Sequence, residues 1–306
     1  WVAWMTKDHP DMIRHHNVKF KAKAPRTIDN YFVFIKSYLR IVCGIRLTID
    51  DVRDYIQFPT ERKQARKAIP LSILKLILNN VEPKREALYL TLISSGMRLG
   101  EALHIKKKDL DFSLDRIMIR VDAEYTKTKA GRTTFVSKEC EEKIMMYYEK
   151  LDDDEYVFTN SKSDFKGRGR VEQTAMGNAL KKLGYTEKYS SNGFYKITSH
   201  CFRAYFFTAA TRKHNENYAH KMTGHGGYLI QYDRYDNETK MKMYLELEPE
   251  LVVFDQTKNE IEIEKLKQEN EDIQQLRDEV KNLREFQAQK DIELLTNLRN
   301  EGIIPK

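Results

Sequence analysis

The stretch from residue 259 to residue 299 is the most restricted part of this chain, because it contains neither glycine nor proline and is dense in charge. Such a run favours one continuous helix. Its apolar residues recur at steps of three and four or their sum, at Leu266, Ile273, Leu276, Val280 and Leu283. The spacing predicts a C-terminal coiled-coil helix within residues 257–306, which either joins protomers or lies on its own domain or in solvent.

Upstream of this tail, apolar residues recur mostly at helical spacing. Two short runs at 116–121 and 133–137 are β-like, and the segment between them contains Gly131, so together they predict a β-hairpin. Helices are predicted over 71–80, 85–95, 138–150, 171–183, 199–214 and 215–223. The chain is therefore predicted to be mainly α with a small β-sheet.

The N-terminal part of the chain is predicted to form a separate domain. Residues 1–56 have an all-helical pattern, with Thr27 as the N-cap of one helix and Thr48, followed by aspartates, at the start of another. The next segment is basic and weakly apolar, which favours a linker. The predicted domains are a helical one at 1–60, a basic linker at 61–69, a mixed α/β one at 70–256 and the tail at 257–306.

Charge and cysteine content limit the classes of partner and compartment. The chain has 53 Lys and Arg against 46 Asp and Glu, a formal charge of +7. Basic runs at 19–26 and 61–67 place positive charge near the front, which permits nucleic-acid binding. The three cysteines are widely spaced, which favours a reducing compartment. No apolar run approaches membrane-spanning length. These features predict a protein of the cytoplasm, either associated with the nucleoid or in the cytoplasm of a host cell, that does not bind membranes.

Two arginines, two histidines and several tyrosines form a set that suits phosphoryl transfer. Arg98 follows an apolar helix, His200 and Arg203 stand three apart on another, and His225 follows Gly224. Three tyrosines come next, at Tyr228, Tyr232 and Tyr235. Two arginines can hold a phosphodiester by bidentate contacts, and a tyrosine can attack its phosphorus. The set predicts DNA strand cutting and rejoining without a metal ion, ATP or another cofactor.

Each of these residues also has an ordinary structural explanation. Arg98 could form a surface ion pair with Glu101, and His200 and Arg203 could occupy a solvated helix face. Gly224 is explained by helix capping alone, and Lys129 by a solvated turn. Thr198 or Ser199 could cap the helix of His200. The remaining histidines lack ligand partners at suitable spacing, so no metal site is predicted.

The order of these elements resembles that of the tyrosine recombinase, or phage-type integrase, family. The family has an arginine in a Gly-Leu-Arg-like motif, a hairpin lysine, His-x-x-Arg, Leu-Gly-His and a C-terminal tyrosine. The matching residues here are Arg98, Lys129, His200, Arg203, His225 and Tyr232. The resemblance covers residues 69–255, and the helical unit at 20–56 is similar to the family's core-binding domain. The tail is not part of the common pattern.

The resemblance implies what each residue does. Arg98 and Arg203 bind the non-bridging oxygens of the scissile phosphate, and His225 donates a hydrogen bond to it. His200 acts as general base and acid, Lys129 protonates the leaving 5′-oxygen, and Tyr232 forms a 3′-phosphotyrosyl bond with the DNA. The partners implied are double-stranded DNA at specific recombination sites and further copies of the chain, as a tetramer on two DNA sites. A mobile genetic element, such as a virus or plasmid, is the implied source.

Two of these assignments have competitors within the chain. By the spacing that the resemblance implies, counting back from the end of the second β-run selects Lys129, and Lys127 would then lie on the first strand with its side chain on the same face. In the family a helix begins a few residues after the nucleophile, and Tyr232 lies four residues before Asp236, the predicted N-cap of the next helix, which favours it over Tyr235.

The function has alternatives as well. A catalytically impaired DNA-binding protein of the same fold would keep the architecture without the reaction. A type IB topoisomerase would use the same residues to relax supercoils. A coiled-coil scaffold would explain residues 259–299 but nothing upstream.

Overall fold

A computed structural model of the chain describes residues 1–14, 18–60, 68–160, 165–189, 193–225 and 235–300. The chain divides into two compact units. The first consists of Trp1–Lys67 with Tyr185–Ile197, and the second of Ala68–Gly184 with Thr198–Lys306. Tyr185–Ile197, which the sequence places in the second domain, thus groups with the N-terminal unit. Most of the predicted linker, 61–67, lies outside the described residues.

The first unit combines helices with a β-hairpin. Its elements are α1 (Val2–Met5), β1 (His9–Arg14), β2 (Val18–Phe20), α2 (Pro25–Ile41) and α3 (Ile49–Tyr55). Strands β1 and β2 pair antiparallel, with His9 opposite Phe20. A small core forms from Met5, Phe20 and Ile28. The all-helical prediction for 1–56 is therefore wrong, because Pro10 lacks a donor for a helix interior and Val18-Lys-Phe20 alternates as a strand does.

Of the two N-caps predicted in this unit, one is confirmed and the other is wrong. Helix α2 begins at Pro25 with Ala24 as N-cap, so Thr27 lies inside the helix rather than at its cap. Proline suits the first helical position, since its missing N–H has no partner there anyway. Thr48 caps α3 as predicted, and a capping box joins its side chain and backbone to Asp51.

The second unit packs helices around α5 and one face of a small sheet. The helices before the sheet are α4 (Leu71–Leu78), α5 (Pro83–Ser95) and α6 (Leu99–Ala102). The sheet contains β3 (Leu110–Asp111), β4 (Met118–Val121) and β5 (Arg132–Phe135) in that order, all antiparallel. Every residue of α5 from Ala87 to Ser95 is buried. A helix that is apolar around most of its circumference becomes the centre of a unit rather than its surface.

The remaining helices follow the sheet along the chain. They are α7 (Lys138–Tyr148), α8 (Phe165–Lys182), α9 (His200–Lys213), α10 (Glu216–Thr223), α11 (Asn237–Leu251) and α12 (Asp255–Asn300). A core joins the sheet to α9, α10 and α11 through Phe135, Phe206, Tyr218 and Tyr244. The Tyr244 hydroxyl donates to the Ser94 carbonyl over 3.0 Å, which ties α11 to the central helix. The mainly helical fold with a small sheet is confirmed.

Helix α12 continues the chain after the core. Its first turns contact the second unit, since Thr257 and Ile261 are buried. The apolar side chains from Leu266 to Ile292 are exposed. The long helix matches the prediction from sequence, whereas its coiled-coil pairing stays a prediction. Within the described residues, no helix has both the length and the apolar character needed to cross a bilayer.

The junction between α11 and α12 is bound by a buried carboxylate. The Glu139 side chain on α7 accepts hydrogen bonds from the backbone N–H groups of Val253 at 2.9 Å and Phe254 at 3.1 Å. Burial raises the pKa of Glu139 to about 7, although these two N–H groups act in the opposite direction.

We expect this carboxyl to make the protein less stable as the pH rises. The unfolded chain releases the proton near the ordinary value of 4.5, whereas the folded chain keeps it to about 7. The stabilisation is therefore complete below the unfolded pKa and is lost as the pH rises through the folded pKa, with a size of about 3 kcal/mol. Urea unfolding at about pH 5 and about pH 8 measures it.

Glu139→Gln stays neutral, so its free energy of unfolding should decrease less between the two pH values than that of the wild type. Glu142→Gln, at an exposed position on the same helix, serves as the control and should keep the wild-type pH dependence. An unchanged pH dependence in Glu139→Gln contradicts the assignment.

Candidate active site

The loop after α5 brings the backbone close to α9 and α10. Gly96 ends α5 with a positive φ of 64°. A Cβ at this position would lie 2.5 Å from the Phe206 ring and 2.8 Å from Thr223. Only glycine combines this conformation with so close an approach. The loop thereby places Arg98 at the N-cap position of α6.

Glu101 holds two arginines from different elements. Its Oε1 accepts from Arg98 Nη1 at 2.7 Å, and its Oε2 accepts from Arg132 Nη2 at 2.6 Å. Oε2 also accepts from the Arg98 backbone N–H at 2.9 Å. Burial opposes ionisation of Glu101, but Arg132 and Arg98 outweigh it and hold the pKa of the carboxyl below its ordinary value. The predicted pair of Arg98 with Glu101 is present, and its carboxylate is buried rather than on the surface.

Arg203 lies behind this pair in the first turn of α9, and it is 2% exposed. Its Nη1 donates to the Gly96 carbonyl. Its Nε and Nη2 are buried and have no hydrogen-bond partner among the described residues. Burial and the charges of Arg98 and Arg132 lower the pKa of Arg203 to about 9, although Glu101 acts in the opposite direction. Unpaired buried guanidinium donors are costly, and a bound anion would offset that cost.

The two histidines lie near the arginines. His200 is the first residue of α9 and is exposed, with Ser199 at the N-cap position. Neither predicted cap is realised. Ser199 occupies the N-cap position, but its side chain makes no capping hydrogen bond. Thr198 lies one residue before the N-cap, and its backbone N–H donates to the Cys201 sulfur. His225 follows Gly224, which ends α10 in the left-handed conformation as predicted.

The environment of His225 disfavours its charged form. Burial and then the cationic charges of Arg203 and Arg98 lower its pKa to about 4, with smaller contributions from His220 and His200. His225 Nδ1 lies 3.3 Å from the Thr223 hydroxyl. Because that hydroxyl already donates to the Ala219 carbonyl at 2.6 Å, Nδ1 is the donor of the pair.

The two candidate lysines lie in the turn between β4 and β5. Both Lys127 and Lys129 are exposed. Lys129 has a positive φ of 54°, and its ammonium donates to the Glu124 carbonyl at 3.1 Å. Strand β4 ends at Val121, so the prediction that Lys127 lies on the first strand is wrong. A short 3-10 turn at Ala123–Tyr125 takes up the residues expected to extend the strand.

Arg132, the first residue of β5, is the site residue that sequence reasoning missed. Besides Glu101, it donates from Nε to the Met222 carbonyl at 3.0 Å, and its Nη1 is buried without a partner among the described residues. A Cβ at Gly224 would lie 2.9 Å from that Nη1. The sequence signal that could have identified Arg132 is the alternation of side chains along the strand. Arg132 shares a face with Thr134, which is buried and donates to the Ser95 carbonyl.

The tyrosines are described only in part. Tyr228 and Tyr232, the latter the predicted nucleophile, lie outside the described residues. Tyr235 is 46% exposed, and the Lys221 ammonium lies 5.3 Å from its ring centre. Helix α11 begins at Asn237 as predicted, with the Asp236 side chain accepting from the Thr239 N–H at 2.7 Å.

The structure therefore brings Arg98, His200, Arg203 and His225 together and adds Glu101 and Arg132 to them. No cluster of three or more His, Cys, Asp or Glu side chains with the geometry of a metal site occurs within the ranges that are described. What the group can do chemically is bind an oxyanion with guanidinium donors and exchange a proton through an imidazole.

We expect Glu101→Gln to destabilise the protein by about 2–4 kcal/mol, because it leaves buried guanidinium groups without their counter-charge. Urea unfolding at neutral pH measures the loss. Glu124→Gln, an exposed change in the adjacent hairpin, is the matched control and should have little effect. Equal stability of the two variants would show that the Glu101 carboxylate does not offset the positive charge of the buried arginines.

Comparison with known proteins gives three kinds of similarity. The sequence model of the phage integrase family matches residues 68–240. Tyrosine recombinase XerA of Thermococcus onnurineus (strain NA1) is 25% identical over 226 residues, which are 61% of this chain and 76% of that protein. A crystal structure of XerA recombinase aligns with a TM-score of 0.42 and 17% identity, over 79% of this chain and 86% of that one. The integrase from mycobacterium phage Brujita aligns with a TM-score of 0.47 and 15% identity, over 76% of this chain and 74% of that one.

Proposed function

The chain belongs to the phage integrase family, and from this membership we propose that it recombines DNA at specific sites through a 3′-phosphotyrosyl intermediate. The observation that carries the proposal is the buried guanidinium cluster, above all Arg203 with its open Nε and Nη2. A phosphodiester supplies the charge and the acceptor oxygens that these donors lack. Integration, excision and resolution all use the same cleavage and rejoining steps.

The arginines would bind the scissile phosphate. Arg98 and Arg203 would contact its non-bridging oxygens, and each charge-assisted hydrogen bond contributes about 1.5–3 kcal/mol. Arg132 and Glu101 would hold Arg98 in position. The arginines supply the positive charge at the phosphate, so we propose a reaction independent of metal ions, ATP and other cofactors.

Proton transfers would fall to His200 and Lys129. A phenol with a pKa near 10 is a poor nucleophile at neutral pH until its proton is removed, and His200 would act as the general base toward Tyr232. Lys129 would protonate the leaving 5′-oxygen. His225 would donate a hydrogen bond to a phosphate oxygen, and the negative charge of the phosphate would offset the cationic charges that, after burial, lower the pKa of this ring.

Double-stranded DNA is the proposed partner. The basic residues Lys21, Lys23 and Arg26 of the first unit, and the basic segment 61–67, would lie along its phosphates. We propose that four copies act on two DNA sites, with residues 1–60 as the core-binding domain and 70–256 as the catalytic domain. Such a protein would act in the cytoplasm, where the DNA is.

The nucleophile is tested by trapping the covalent intermediate. A suicide substrate carries a nick beside the cleavage point of the cognate site, found beforehand by selecting bound fragments from a genomic library. We expect wild type and Tyr235→Phe to form a protein–DNA adduct, and Tyr232→Phe to form none, because phenylalanine keeps the ring and removes the attacking oxygen. Denaturing electrophoresis measures the adduct.

Loss of the adduct in Tyr235→Phe alone would move the nucleophile to Tyr235. Binding without any adduct in the wild type would favour the catalytically impaired DNA-binding protein. Relaxation of supercoiled DNA by a monomer would favour the topoisomerase.

The hairpin lysines are separated by changing the leaving group. We expect Lys129→Ala to slow cleavage of ordinary DNA by about 100-fold or more, the usual contribution of a general acid. A 5′-bridging phosphorothiolate leaves without protonation, so it should be cleaved by Lys129→Ala at nearly the wild-type rate. Lys127→Ala is the matched control and should cleave both substrates normally. If the leaving-group rescue is found in Lys127→Ala instead, the general acid is Lys127.

A further inference from the structure

Helix α12 leaves its own domain after its first turns. Thr257 and Ile261 are buried, and the Lys138 ammonium pairs with Glu264 at 2.7 Å and lies 3.8 Å from Glu260. The apolar residues that follow lie in solvent, with exposed fractions of 47–60% at Leu266, Ile273, Leu276, Val280 and Leu283. The described part of the chain therefore does not cover this stripe, and exposed side chains of this size at regular spacing mark a contact surface.

The stripe has the composition of a two-stranded coiled coil. Ile273 and Val280 lie seven residues apart at one core position, with Leu266 one heptad before them. Leu276 and Leu283 occupy the second core position, three residues further on. β-Branched residues at the first position and leucine at the second favour two parallel strands over trimers and tetramers.

The charges beside the stripe select the direction of pairing. Asp272 and Glu279 precede the first core position, and Arg277 and Arg284 follow the second, all exposed. In a parallel pair, a residue of the first set faces the residue five places later in the other helix. Asp272 then faces Arg277 and Glu279 faces Arg284, on both sides of the pair. An antiparallel pair would set acid against acid and arginine against arginine.

We propose that residues 266–283 of α12 form a parallel two-stranded coiled coil with a second copy of this chain. The apolar seam, meaning the core positions from Leu266 to Leu283, is short. Its first heptad has a polar residue, Glu269, at the second core position, and the core positions after Leu283 are the polar residues Gln287 and Lys290. A seam this short associates weakly and in a concentration-dependent way. The pairing is independent of DNA cleavage, so it stands or fails separately from the recombinase reaction.

The first test measures the mass of the full chain by sedimentation up to about 100 μM, a range chosen for weak association. We expect wild type to form dimers, and Leu276→Asp with Leu283→Asp to weaken the association at least about tenfold, since both place charges in the seam. Gln275→Asp with Asn282→Asp introduces the same two negative charges one residue earlier in each heptad, on the outer face, and should dimerise as wild type does. A monomeric wild type, or a seam variant that dimerises normally, overturns the proposal.

The second test addresses direction through charge reversal. Arg277→Glu with Arg284→Glu should weaken the dimer about tenfold by placing acids opposite Asp272 and Glu279. Adding Asp272→Lys and Glu279→Lys to the same chain should restore wild-type association. An antiparallel pair would tolerate the first change, so an unaffected dimer overturns the parallel arrangement.

The third test detects the neighbour directly, in a Cys43→Ser background that removes an exposed thiol. Leu283→Cys should form a disulfide-linked dimer under mild oxidation, because a parallel pair places the two copies of this position in contact. Asn282→Cys is the control and should remain largely uncrosslinked. Equal crosslinking at the two positions overturns the proposed register.

Discussion

The geometry of the site depends on the buried carboxylate of Glu101. It binds Arg98 at the start of α6 and Arg132 at the start of β5, and Arg132 also reaches the last turn of α10 through the Met222 carbonyl. Without this carboxylate, three guanidinium groups would repel one another in a region with little water to screen them. One side chain therefore both offsets the repulsion and aligns the sheet with the helices that carry the remaining residues.

Two glycines make this close arrangement possible. Gly96 and Gly224 both have positive φ. A Cβ at Gly96 would lie within 3 Å of Phe206, and a Cβ at Gly224 would lie within 3 Å of Arg132. The backbone carbonyl of Gly96 also accepts the one hydrogen bond that the Arg203 side chain donates within the described residues. Here the polypeptide backbone, rather than side-chain packing, decides how near the arginines come to one another.

Features of the fold that depend on neighbours in sequence could be predicted, and features that depend on distant contacts could not. The cap of α3 at Thr48, the start of α11 at Asp236 and the motif of His200 and Arg203 are local, since each is set by residues within one turn. Strand periodicity places Arg132 on the buried face of β5, but this residue belongs to the site only because β5 packs beside α5 and α10, which spacing along the chain does not reveal. The hairpin in the first unit lies within a mostly helical apolar pattern, so only Pro10 and the short alternation at Val18–Phe20 indicate it. The helix predicted over 171–183 is also too short at its start, since α8 begins at Phe165.

The charge of the cluster suits the transition state of the proposed reaction better than its ground state. Three guanidinium groups and one carboxylate leave two positive charges, and His225 is neutral because its pKa is lowered to about 4. A phosphodiester carries one negative charge, whereas the pentacoordinate species formed by a phenolate carries two. In the proposed reaction, positive charges held in place by Glu101 and Gly96 would therefore stabilise that species more than the substrate, and only such a difference raises the rate. The burial that lowers the pKa of Arg203 strengthens the effect, because a desolvated guanidinium interacts more strongly with a developing negative charge.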